Sequence, residues 1–157
     1  MTIVELMVVI SVIGILAGLT MSIVLSHRYA GRDAERISDV ESIARAFETS
    51  YMRDATTTSG PSYPTTTTAT TVSGYDSLFR RQSLSITKAP DTTTATSIVA
   101  ATTTAQPQAP TKNQYIYLPL TSSNSLCTTG PTCVRFLLYY RLEGTNTVQV
   151  VESIHQQ

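Results

Sequence analysis

From Leu6 to Ser26 the chain reads LMVVISVIGILAGLTMSIVLS, with no charged side chain, and 14 of these 21 positions are Leu, Ile, Val or Met. As a helix this run spans about 32 Å at about 1.5 Å per residue, which matches a bilayer core of about 30 Å. At about −0.3 to −0.6 kcal/mol for most such residues, insertion into lipid is favoured by several kcal/mol. Lipid leaves the backbone no outside partner, so helix prevails despite the β-branched content. After Ser26 the pattern becomes amphipathic: Ile37, Val40, Ala44, Phe47 and Tyr51 recur at three- and four-residue steps. Arg32, Asp33, Glu35, Arg36, Asp39, Glu41, Arg45 and Glu48 fill the other faces, with Glu41 and Arg45 in a favourable i,i+4 order. Apart from Gly31 no helix stop intervenes before Asp54, so one helix is predicted from about residue 1 to 54. Its first half needs lipid or other chains around it, and its second half needs a sheet on one side. A coiled coil is the competing reading of the stripe, which is short for one.

Residues 55–113 carry turn signals and little periodicity. TTTSGPSYPTTTTATT and APDTTTATSIVAATTTAQPQAP are low-complexity and Thr/Pro-rich, and YDSLFRRQSLSI between them reads as a short helix or strand. From Gln114 the pattern turns to strands. QYIYLPL is expected to end at Pro119. VRFLLYYRLE places Val134, Phe136, Leu138, Tyr140 and Leu142 on one face, with Arg135, Tyr139, Arg141 and Glu143 dominating the other. GTNT is a turn and VQVVESI a third strand. The expected fold is α+β: a long N-terminal helix packed on a C-terminal antiparallel meander of three or four strands. Its core is expected from Ile37, Val40, Ala44, Phe47, Tyr51, Val134, Phe136, Leu138 and Tyr140. The chain divides into a hydrophobic helix suited to spanning a membrane or packing among other chains (1–26), its amphipathic continuation (27–54), a Thr/Pro-rich connecting region (55–113) and the meander (114–157).

Net formal charge is zero, which advertises no acidic partner, and Arg80-Arg81 is too small for a nucleic-acid patch. Cys127 and Cys133 in LCTTGPTCV read as a short disulfide loop in an oxidising compartment, with free thiols as the other reading. The two histidines, His27 and His155, stand at opposite ends of the sequence, and no phosphate loop, zinc spacing or nucleophile motif is present. The expectation is therefore a non-enzyme with no catalytic residue, metal site or cofactor. The Thr-rich surface has two open readings, an unmodified polar loop or an O-glycosylated one.

One carboxylate, Glu5, sits at the lip of the apolar run. A carboxylate in hydrocarbon persists only if paired or protonated, and the nearest obligate cation is an α-amino group at residue 1, its own or a neighbour's. A pair between Glu5 and the next chain's amine fixes stagger, a use for which buried polar pairs are well attested; a Glu facing interfacial water is the other reading. The stretch has no basic n-region and is longer than a usual signal-peptide core. His27, Arg28, Arg32 and Arg36 follow the span and nothing basic precedes it, so positive-inside logic puts the bulk of the chain in the cytoplasm. The cysteine loop and Thr-rich tracts argue for outside. Both hold if a short basic leader once preceded Met1.

TIVELMVVISVIGILAGL closely resembles the N-terminal signature of mature type IV pilins and the related pseudopilins. The resemblance covers about the first 25 residues and is architectural beyond them. It implies a leader removed by a prepilin peptidase, N-methylation at Met1, and an assembly register set by Met1, Thr2 and Glu5. It also implies a helix that packs, and in many relatives unwinds locally, around Gly14, Gly18 and Ser22. Met1 stands where Phe is commoner in the family, and Ser22 where many bacterial members have Pro. The implied partners are identical subunits, the prepilin peptidase/N-methyltransferase and assembly machinery, membrane lipid before assembly, and a host or neighbouring-cell surface. The implied location is the cell membrane with the head outside the cytoplasm, then an extracellular filament serving adhesion, twitching motility or DNA uptake. A pseudopilin of a type II secretion system and a non-polymerising single-pass protein with an external binding head are the alternatives.

Overall fold

In the computed structural model the described residues are 2–54, 60–79, 83–128 and 133–155, with the side chains of 19–23, 25, 52–54, 72 and 76 outside the described set. Helix α1 spans Ile3–Asp54, 52 residues without a break, or about 78 Å. Thr2 starts it. Its Oγ1 accepts from the Glu5 amide at 3.3 Å, while Glu5 Oε2 accepts from the Thr2 amide at 3.3 Å. This is a capping box, which satisfies two otherwise orphaned donors. Ser11 hides its hydroxyl by donating to the Met7 carbonyl at 2.7 Å.

The described part of the connecting region holds α2 (Thr66–Thr70), α3 (Val72–Leu78), a single 3-10 turn (Leu84–Thr87) and strand β1 (Ile98–Ala100). Its hydroxyls do the capping: Thr65 accepts from Thr68, Thr71 from Gly74 and Ser83 from Ser85. The YDSL end of the ambiguous segment is thus helical. Gly74 is required by close approach, because a Cβ there would lie 1.8 Å from the Thr68 carbonyl oxygen.

The sheet adds β2 (Tyr115–Leu120), β3 (Arg135–Arg141) and β4 (Val148–Glu152), in the order β1-β2-β3-β4. The last three form the expected antiparallel meander, with Tyr117 opposite Leu138 and Leu138 opposite Val151. β1 was not expected, and it pairs parallel to β2. β2 does not end at Pro119. β1 pairs only as far as Tyr117, so the missing N–H lies beyond that ladder, and the Pro119 carbonyl takes the Cys127 amide at 3.0 Å.

The main core joins Val40, Ile43, Ala44, Phe47 and Tyr51 of α1 to Tyr115, Tyr117, Phe136, Leu138 and Tyr140 of the sheet. Phe47 meets Tyr117 at 4.6 Å, Phe136 at 5.4 Å and Phe79 at 6.2 Å between ring centroids. Two expected core positions differ: Ile37 is exposed and Val134 only half-buried. The buried stripe starts one residue earlier, at Arg36, and runs through Val40, Ile43 and Phe47. Arg36 takes the inward position because its guanidinium finds partners there. The opposite sheet face is not simply polar either. Leu118, Leu120, Leu137 and Tyr139 are buried on it with Ala101.

Candidate functional site

Along the first half of α1, every Leu, Ile, Val and Met from Ile3 to Leu16 is at least 50% exposed. Side chains at successive 100° steps therefore present apolar surface on all sides, and none of the described residues folds back to cover it. Among the described residues no helix is long and apolar enough to cross a membrane. The apolar run at 6–26 includes 19–23 and 25, whose side chains lie outside the described residues. Gly14 and Gly18 sit in continuous helix with open space around them. Ser22 is helical, but its side chain is outside the described set, and Met1 lies outside it altogether. Thr2 and Glu5 are brought together by the capping box, a local contact that follows from T-x-x-E spacing and not from charge pairing.

Where the rod enters the head, a charged clamp joins α1 to the turn after β3. Glu143 accepts from Arg32 at 2.8 and 3.0 Å, from Arg36 at 3.1 Å and from Lys112 at 3.3 Å. Asp33 accepts from the Glu143 amide at 2.7 Å, the Gly144 amide at 2.9 Å and Arg36 at 2.8 Å. Arg36, only 1% exposed, also donates to the Lys112 carbonyl, and Arg32 reaches Asp91 at 3.1 Å. The Arg32 hydrogen bond, against some burial cost and with help from Arg36 and Lys112, holds the Glu143 carboxyl down at about 2. Asp39 goes the other way: burial first, then the Glu35 charge, push it up to about 6 despite a hydrogen bond from Tyr115. The clamp was not legible in the sequence. Arg36 and Glu143 are 107 residues apart, and Arg32, Asp33 and Arg36 read as ordinary surface charges.

At the far end of the head Cys127 and Cys133 form a disulfide and are fully buried in the main core. The Tyr63 amide donates to the Cys133 carbonyl at 2.8 Å and the Thr66 amide to the Cys127 carbonyl at 3.2 Å, so the bridge also anchors the start of the connecting region. Glu48 pins the chain end there, accepting from Tyr63 Oη and the Ile154 amide, both at 2.8 Å, while His155 stacks on Tyr51.

No family model, no curated protein and no solved structure matches the chain.

Proposed function

We propose that this chain is a structural subunit of the type IV pilin kind, which waits in a membrane through residues 1–26 and then polymerises through that helix into an extracellular filament. The observation that carries the reading is the bare rod from Ile3 to Leu16: apolar on every face, uncharged except for Glu5, and continuous with a helix whose other half is sheathed by a sheet. At about 25 cal/mol per Å² of apolar surface, such a rod is driven into lipid or against copies of itself. Contacts between unlike surfaces that never close give a helical polymer. Glu5 and the residue-1 amine of an adjacent copy select the stagger. The clamp also bears on orientation: Arg32 and Arg36, two of the bases that argued for a cytoplasmic head, have their charge met by Glu143, Asp33 and Asp91. Adhesion, twitching motility or DNA uptake is the activity this family resemblance supports.

The capping box favours a second reading, a single-pass protein that displays its head and does not polymerise, since Glu5 then has a partner in its own chain. Mass spectrometry of the N-terminus, with electron microscopy of material sheared from the producing cells, separates the two. Filaments whose subunits begin at a methylated Met1 support the pilin reading; an unprocessed start and no fibres support the other.

A further inference from the structure

We propose that the open pocket at the rod–head junction binds the phosphate of an anionic phospholipid headgroup while the subunit is held in the membrane, an inference that rests on the membrane role proposed for the rod. The pocket has a volume of about 420 Å³ and is lined by Tyr29, Lys112, Arg141, Leu142, Glu143 and Asn146. Its position is the first argument. Tyr29 lies three residues beyond Ser26, the last residue of the uncharged run, which is about 4.5 Å further along the helix. That is headgroup depth when residues 6–26 fill the hydrocarbon. Tyr29 is an amphipathic ring of the kind enriched there, and the Arg32 guanidinium lies over it at 5.2 Å.

Charge is the second argument. Arg141 donates Nε to the Pro110 carbonyl at 2.7 Å, and Nη1 to the Asn146 carbonyl and side-chain oxygen at 2.9 and 3.2 Å. All three acceptors are neutral, and among the described residues Nη2 has no partner, so this guanidinium enters the pocket with its charge unmet. The one acid in the lining, Glu143, is already shared by Arg32, Arg36 and Lys112. In the ion-paired cluster Arg32, Arg36 and Lys112 meet the carboxylates of Asp33, Asp91 and Glu143, while Glu35 and Asp39 lie by Tyr115 further along α1, so Arg141 is the lining cation left without a carboxylate partner. A phosphate diester supplies the missing charge and accepts from Arg141 Nη2 and Lys112 Nζ together, as guanidinium and ammonium groups bind phosphate generally. Basic pockets beside a membrane span recognise lipid headgroups in this way. A free phosphate lacks the acyl chains that would lie along the apolar rod.

The test uses the full chain in nanodiscs of phosphatidylcholine with a minor fraction of phosphatidylglycerol, followed by native mass spectrometry of the lipids retained on the released protein. The expected result is a several-fold enrichment of phosphatidylglycerol that falls to parity in the Lys112→Gln/Arg141→Gln double variant. It should fall partway in Lys112→Gln alone, which leaves the Arg141 bonds to the backbone intact, and stay unchanged in Arg45→Gln, on an exposed i,i+4 pair elsewhere on α1. Equal retention of both lipids by the unaltered chain, or enrichment that survives the double variant, overturns the pocket. Displacement of the retained lipid by millimolar inorganic phosphate overturns the assignment to lipid in favour of a free anion. A chain that does not enter these discs overturns the membrane reading itself, and is read separately from lipid selectivity.

Discussion

The two halves of α1 share one backbone and differ in what surrounds them. From Ile3 to Leu16 the side chains are exposed on every face; from Arg36 to Tyr51 one stripe is sealed against aromatic rings of the sheet. The first half is kept helical by its own hydrogen bonds and its cap, and the second by burial. Helical geometry therefore says nothing about where a helix's stability comes from. Among the described residues the apolar half packs against no other part of the chain, whereas the amphipathic half packs within it.

Truncation should break this contrast most sharply. Phe47→Ala is expected to cost the head about 3–5 kcal/mol, as for other buried aromatics, while Ile10→Ala leaves head stability unchanged; denaturant unfolding in detergent, followed by tyrosine near-UV circular dichroism, reads both. Gly74→Ala, which drives a methyl into the Thr68 carbonyl, should cost about 1–3 kcal/mol in the same assay.

The clamp sharpens the contrast at the junction. Glu143→Gln weakens Arg32, Arg36 and Lys112 at once and leaves Arg36 buried with Asp33 as its remaining carboxylate, an expected loss of about 2 kcal/mol. Because the folded Glu143 carboxyl is held at about 2 against an ordinary value of 4.5, its contribution is full above pH 4.5 and is lost as pH falls toward 2. Asp39 has the opposite sign. Raised from 3.8 to about 6, it favours the folded state when protonated, so that contribution fades as pH rises from about 4 to 6. Asp39→Asn should flatten the slope in that window and raise stability at pH 7 by about 1 kcal/mol, read as a denaturation midpoint across pH.

Local rules carried much of the architecture. Alternation marked β3, the GTNT turn set off β4, three- and four-residue steps marked the buried half of α1, and the close cysteine pair marked a bridge. What escaped was set by distant groups. Arg36 displaced Ile37 from the inward position because Glu143 waited 107 residues away. β1 is three residues long and gains its identity by pairing with Tyr115–Tyr117, so nothing within it announces a strand. Tyr139 reads with a polar face, and Leu137 beside it goes unmarked, because the residues they cluster with, Leu118, Leu120 and Ala101, come from elsewhere in the chain. At the rod tip T-x-x-E spells a capping box, so Glu5 serves there as a helix cap as well as a charge beside hydrocarbon.

That double use of Glu5 allows a direct test of the central claim, that the rod is completed by other copies in a stagger set by charge. Gln serves as well as Glu in a capping box but cannot pair with an ammonium as an ion. The measurement is the yield of sheared filaments from cells making Glu5→Gln, with membrane fractionation of the same cells as a control. The account predicts normal membrane insertion and loss of filaments; filaments at the unaltered yield would contradict it.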